Sequence, residues 1–203
     1  MDAVAEIFGT ITFENSRYTL REVDLQIGSQ RVKVFDGRFR AQVQPGRSTI
    51  LASARHYKPY QITYELLPGE NSLDILLETI YPREELDHLA RLVHAEAEGE
   101  PYVGKVAVAA SVLHRVESPL YPSTLKGVIY QVTDGRYYQY SPVLDGRIKN
   151  PASKEAWQAV YDALAGWDPS KGATGFYNPR KTSNRWVRSR PVTVVIGGHV
   201  FFK

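Results

Sequence analysis

Three glutamates stand close together in His94-Ala95-Glu96-Ala97-Glu98-Gly99-Glu100-Pro101, and a carboxyl group is what general acid–base chemistry most often needs. At about 100° per residue, Leu86, Leu89, Ala90, Val93 and Ala97 form the apolar stripe of a helix. Glu96 falls near the edge of that stripe, seven residues after Leu89, whereas Glu98 points to solvent and Glu100 follows Gly99 into a loop. Partial burial penalises the ionised form and raises a carboxyl pKa, the condition for a general acid near neutral pH. The same geometry also fits a partly buried glutamate paired with Arg91, His94 or Arg115.

Other chemistries find less support. His94 and Glu98 are four apart and could share a helix face as metal ligands, but no HExxH pattern occurs and the other histidines are scattered singly. The chain has no cysteine, which removes disulfides, thiolate metal sites and a thiol nucleophile. It has no G-x-S-x-G elbow and no Walker or Rossmann glycine pattern. The expectation is an enzyme with no metal and no organic cofactor.

The elements that would position Glu96 lie in the second half of the chain. Helix character begins after Pro82, with Glu84, Glu85 and Asp87 near the positive end of the dipole, and Gly99 supplies the stop. A second helix is expected from Gly104 to Val116, apolar nearly all round and central to the core. Ser123 would cap a short helix through Tyr130, and Ser153 another from Lys154 to Ala165. Trp157 falls with Val160 and Leu164 and reads as core. Val192–Ile196 and His199–Phe202 are the best strands there.

Residues up to about Ile80 read differently. Val23–Ile27 alternates apolar and polar, and Arg31–Phe35 and Arg38–Val43 flank Asp36-Gly37, a two-residue hairpin signal. Pro45-Gly46 and Pro68-Gly69 mark further turns. The chain is therefore read as α+β with two domains: residues 1–80 an antiparallel β-sandwich, residues 81–203 a mainly helical domain with a small β element.

Composition sets the outer bounds. With 203 residues and 43% hydrophobic content the chain can bury a core. A net charge of +3 makes no case for nucleic acid. Arg180, Lys181, Arg185, Arg188 and Arg190 cluster near the C-terminus, where they would face an anionic polymer or simply water. The first residues show neither the basic nor the apolar run of a signal peptide, and no run is long enough to span a membrane.

Four blocks carry a resemblance over about residues 86–202. They are HAEAEGEPYVGKVAVAASVLHRV at 94–116, YPSTLKGVIYQ at 121–131 and SPVLDGR at 141–147. The fourth joins GWDP at 166–169 and FYNP at 176–179 to RPV at 190–192 and IGGHVF at 196–201. Together they resemble the catalytic domain of the spore cortex-lytic enzymes, a cell-wall hydrolase family. The resemblance implies a lysozyme-like fold acting on peptidoglycan glycan strands, usually as a lytic transglycosylase, with Glu96 matching the essential glutamate. The chain departs from the pattern at Glu98, Lys105 and His114 and in a longer stretch between Gln131 and Ser141. That stretch, around Asp134–Tyr138, is expected to border the cleft.

The resemblance further implies that Tyr177 packs on a sugar face and Asn178 bonds an acetamido group, with Gln131 and Ser141 as lesser substrate contacts. Each of these also fits a structural role. Asp145 is the best candidate for a second carboxylate or substrate contact, although Asp-Gly is an ordinary turn. The partner expected is peptidoglycan, in an extracytoplasmic wall or spore setting. A hydrolytic muramidase, or a non-catalytic wall-binding or spore-assembly protein, is the alternative. The first half resembles the carboxypeptidase regulatory-like, transthyretin-like sandwich through DGRF at 36–39, VQPG at 43–46 and HYKP at 56–59. It would act as a spacer or as a module for the wall or a protein partner.

Overall fold

The computed structural model describes residues 4–203. They divide into two compact units, the first ending at Tyr81 and the second beginning at Pro82, and the architecture is mixed α+β.

In the first unit, β1 (Ala5–Phe13) buries Ala5, Ile7, Ile11 and Phe13, the period of two that puts one strand face in a core. It pairs antiparallel with β5 (Arg38–Val43) and parallel with β8 (Gly69–Ser72) and β9 (Ile75–Leu77). The sheet is thus mixed, not purely antiparallel as expected. The switch from β8 to β9 occurs beside Gly9, where a Cβ would meet the Leu73 carbonyl oxygen at 1.8 Å, so only glycine fits. The second sheet runs β3 (Gln30–Val32), β2 (Asp24–Ile27), β6 (Gly46–Ser53), β7 (Tyr60–Leu66).

The Asp36-Gly37 turn joins β4 (Val34–Phe35) to β5, with both turn residues at positive φ, 48° and 69°, as a two-residue hairpin requires. The expected strand Arg31–Phe35 is broken, however. Its first part pairs with β2 in one sheet and its last part with β5 in the other. Leu25, Ile27, Ile50 and Ala52 are buried on one face of the second sheet, as two sheets sharing a core require.

The second unit is built on α1 (Arg83–Ala97) and α2 (Tyr102–Glu117). Glu84 and Glu85 open α1, and its apolar stripe is buried at Leu86, Leu89, Ala90, Val93 and Ala97. Helix α2 is buried on nearly every side, from Gly104 to Leu113, which makes it the centre of the unit. Its buried Lys105 is held by the Glu100 carbonyl at 2.6 Å and by Glu155 at 3.0 Å. His114 spans from α2 to the loop beyond, with Nδ1 2.9 Å from the Ala173 carbonyl and Nε2 3.5 Å from Asp168.

Two expectations are corrected here. Helix α3 (Leu125–Ile129) is capped by Thr124, whose hydroxyl accepts from the Gly127 N–H at 3.0 Å, and not by Ser123. Trp157, on α5 (Lys154–Leu164), is only half-buried. Its ring is covered by the Arg83 guanidinium, 4.8 Å from the centroid, and by Tyr161. Ser153 does cap α5, accepting from Ala156 N–H at 3.2 Å. A three-stranded sheet, β12 (Gly175–Tyr177), β14 (His199–Phe202) and β13 (Val192–Ile196) in spatial order, completes the unit. A small hairpin, β10 (Val132–Thr133) and β11 (Tyr137–Tyr138), and two short helices, α4 (Ser141–Asp145) and α6 (Arg185–Arg188), lie between the larger elements.

Candidate active site

Glu96 sits in the last turn of α1 and lines a cleft of about 560 Å³ in the second unit. Loss of hydration on burial raises its pKa to about 7; Arg147 and Lys181 pull it down, Asp145 pushes it up, and the Ser141 backbone N–H pulls it down. At neutral pH the group is therefore divided between acid and carboxylate, so it can give a proton and later take one. Glu98 lies just past the helix end and is exposed. Glu100 has a different task. Its carboxylate accepts from the Gly198 N–H at 2.8 Å and so holds the β13–β14 turn.

Two of the partners considered for Glu96 from sequence, Arg91 and Arg115, are otherwise occupied. Arg91 donates to Asp87 at 2.6 Å and to the Lys149 carbonyl at 2.7 Å. Arg115 is buried, donates to the Thr174 carbonyl and to Gln139 Oε1, and lies between the Tyr121 and Tyr140 rings. The nearby cation is Arg147 instead, which leads the short 3-10 turn Arg147–Lys149. It is fixed from three sides. Asp145 takes Nε at 3.0 Å and Nη2 at 2.9 Å, the Ala95 carbonyl takes Nη1 at 2.8 Å, and Ser141 Oγ takes Nη2 at 3.2 Å. This arrangement ties the end of α1 to α4 and so fixes the turn that carries Glu96.

Ser141, Tyr177 and Asn178 line the same cleft as Glu96. Ser141 supports Glu96 through its N–H and Arg147 through its hydroxyl. The Tyr177 ring packs at 6.0 Å from that of Phe202. Asn178 uses Oδ1 to accept from the Arg180 N–H at 2.9 Å, while its Nδ2 lies beside Gly198. Asp145 and Gln131 are not on the cleft wall. The Asp145 carboxylate is engaged by the Arg147 side chain and N–H, which hold it below the ordinary aspartate range. The Gln131 side-chain oxygen is buried and accepts no hydrogen bond among the described residues.

Some cleft residues were not singled out in the sequence, whereas the stretch around Asp134–Tyr138, expected to border the cleft, does so through Arg136, Tyr137 and Tyr138. Tyr140 and His199 are both buried there. His199 packs against Phe176 and Phe201, and burial lowers its pKa, which keeps it neutral. Arg136, Tyr137 and Tyr138 come from the β10–β11 hairpin, the longer stretch noted in the sequence, and Lys181 from the loop after β12. They are separated by tens of residues, and only the fold brings them together.

A larger hollow, about 650 Å³, lies on the first unit against Phe8, Arg38 and Arg40. Its Asp74 accepts from the Thr10 hydroxyl at 2.6 Å and N–H at 2.8 Å, which depress its pKa. A carboxylate held ionised in this way is no proton donor near pH 7, so size does not identify the reactive site. Among the described residues no three histidine, aspartate or glutamate side chains gather as a metal site, and no helix is long and apolar enough to cross a membrane.

A family model described as Cell Wall Hydrolase matches residues 99–202. The spore cortex-lytic enzyme of Halalkalibacterium halodurans is 42% identical over 121 residues, 60% of this chain and 35% of that protein. The spore cortex-lytic enzyme of Oceanobacillus iheyensis is 40% identical over 123 residues, 61% of this chain and 43% of that protein. This chain thus spans between a third and a half of the length of those relatives. Among solved structures, the catalytic domain of the Bacillus cereus SleB protein is 38% identical with a TM-score of 0.55, covering 61% of this chain and 92% of that one. The catalytic domain of the germination-specific lytic transglycosylase SleB from Bacillus anthracis is 38% identical with a TM-score of 0.56, covering 61% and 98%.

Proposed function

Because the chain belongs to the cell wall hydrolase family, we propose that it cleaves the glycan strands of bacterial peptidoglycan, with Glu96 as the catalytic acid. The bond broken is that between N-acetylmuramic acid and N-acetylglucosamine. The observation that carries the reading is a half-buried carboxyl on the cleft wall whose pKa stands at about 7.

Glycosidases generally use two carboxyl groups, one as acid and one as base or nucleophile. Among the described residues lining this cleft, Glu96 is the sole carboxyl, and Asp145, the candidate second group, is bound to Arg147. This favours a lytic transglycosylase over a hydrolytic muramidase. Glu96 gives its proton to the bridging oxygen as the bond to muramic C1 breaks. The resulting carboxylate then takes the proton from the muramic C6 hydroxyl, which closes on C1 to leave a 1,6-anhydro end. One residue acts as acid and then as base, and no water is consumed.

Tyr137, Tyr138 and Tyr177 give the cleft aromatic surfaces of the kind on which sugar rings pack. Asn178 Nδ2 remains as a donor for an acetamido oxygen. The setting proposed is the wall or spore outside the cytoplasm, and the role proposed for the first unit is a spacer for the second. The test is cleavage of purified peptidoglycan by the chain and by Glu96→Gln. Soluble muropeptides from the first and none from the second are expected. Equal release by both would exclude Glu96 as the acid.

A further inference from the structure

The outer face of the first unit's mixed sheet carries a pattern that a spacer does not need. Strand β1 turns Ala5, Ile7 and Ile11 inward, so Phe8 and Thr10 point outward. The pairing registers set their neighbours on that face. Thr10 lies between Arg38 of β5 and Asp74, with Phe35 of β4 beyond Arg38. Two residues along, Phe8 lies between Arg40 and Ser72. These side chains wall the hollow of about 650 Å³ already described. Phe35 is 85% exposed. The charges are sorted across the sheet. Lys33, Arg38 and Arg40 stand on the β4–β5 side, and Glu70 and Asp74 on the β8 side; only Asp36, in the β4–β5 turn, breaks the pattern. Arg40 is paired with Glu6 at 3.0 Å and stacked on Phe8. Lys33, Arg38, Glu70 and Asp74 meet no opposite charge among the described residues, and Asp74 is held by Thr10 instead.

An anionic polymer is repelled by the acidic side of such a face, and a neutral one leaves both sides bare, whereas a second copy satisfies both signs. We infer that this face docks a second copy of the chain, sheet on sheet, about a two-fold axis running along β1. Charge selects that axis. A two-fold along the strands lays the β4–β5 side of each copy on the β8 side of the other, so that Arg38 meets the opposing Asp74 at two equivalent places. A two-fold across the strands sets Lys33 and Arg38 against their own counterparts, which is repulsive. The axis along β1 also stacks Phe8 on its counterpart and carries the exposed Phe35 ring over the β8 edge of the other copy. Four strands at about 4.8 Å spacing, five or six residues long, give an interface on the order of 1,000 Å² over both copies, at the small end of specific interfaces. The dimer is therefore weak and reversible, with a Kd of roughly 10–100 µM. On the glycan-cleaving reading above, two joined chains bring two clefts to one polymeric wall and hold it more firmly than one.

Sedimentation equilibrium of the whole chain at low salt, between about 5 and 500 µM, brackets that Kd. A monomer–dimer equilibrium in the stated range is expected, weakened at high salt. Phe35→Asp should raise the Kd about tenfold or more. Arg38→Glu and Asp74→Lys should each do the same alone, because each sets like charges together at both contacts. Mixed one to one, these two variants should regain dimers, since the two substitutions then face each other at one contact and the original pair remains at the other. All three side chains are exposed, and the regained dimer itself shows that both variants are folded. Should a thermal melt show Asp74→Lys unfolded through loss of its Thr10 contacts, Phe35→Asp decides alone. A monomer at every concentration would leave the face to another occupant and overturn the inference. A dimer unmoved by Phe35→Asp, or folded variants whose mixture stays as monomeric as its components, would overturn it as well. None of these readouts involves Glu96 or cleavage, so a failure of the glycan-cleaving reading leaves them standing.

Discussion

Replacing Glu96 by glutamine should stabilise the second unit at pH 8 and change it much less at pH 5. Burial lifts the Glu96 pKa from the ordinary 4.5 to about 7. Below 4.5 the folded and unfolded chains both hold this proton. Between 4.5 and about 7 the unfolded chain has released it and the folded chain keeps it, so stability falls as pH rises, and the fall is complete above 7. At about 1.4 kcal/mol per pH unit, the difference between 4.5 and about 7 amounts to roughly 3 kcal/mol. Most of that loss lies between pH 5 and pH 8. Glutamine does not titrate and escapes it. The stability gained by Glu96→Gln should therefore be about 2–3 kcal/mol larger at pH 8 than at pH 5, a difference of several degrees in Tm. The assay is built into the molecule, because Trp157, Trp167 and Trp186 all lie in the second unit. Tryptophan fluorescence thus follows the unfolding of that unit. Other titrating groups are common to both proteins and cancel. A gain that is the same at both pH values would refute the claim that burial holds the proton on Glu96.

Three further outcomes follow from the same geometry. Asp145→Asn removes the charge that raises the Glu96 pKa and frees Arg147, which lowers it. Activity that needs the acid form should then fail at lower pH, with roughly two- to fivefold less turnover at pH 7, read from initial rates between pH 5 and 8; an unmoved profile would count against it. Glu98→Gln should leave both turnover and its pH profile within about twofold of the original, since the group is exposed and is not among the residues lining the cleft. Gly197→Ala forces a side chain onto a residue at φ 56°, with its Cβ 1.9 Å from Glu100 Oε2. The second unit should lose roughly 2–3 kcal/mol in urea unfolding, and no loss would mean that the Glu100 contact with this turn is dispensable.

The parts of this architecture that depend on local pattern could be read from the residues. The two long helices, the Ser153 cap and the Asp36-Gly37 hairpin each follow from periodicity or turn chemistry within a dozen residues. So does the placing of Glu96 at the edge of an apolar stripe. What could not be read depends on distant pairing. The parallel partners of β1 arrive some sixty residues later, and the break near Lys33 is a choice between two sheets that no local pattern records. Thr124 rather than Ser123 caps α3 because it stands directly before the first helical residue, where its hydroxyl reaches the Gly127 N–H three residues on. The cleft shows the same limit. Asp145 and Arg147 stand two apart and their pairing is local, but that this pair braces the turn carrying Glu96, fifty residues earlier, is a fact of the fold.

Mass spectrometry of the muropeptides released from purified peptidoglycan tests the central claim most directly. The account predicts 1,6-anhydromuramic ends from the unsubstituted chain and no release by Glu96→Gln. Reducing muramic ends would contradict the single-carboxyl mechanism, and products that persist in Glu96→Gln would contradict the role assigned to Glu96.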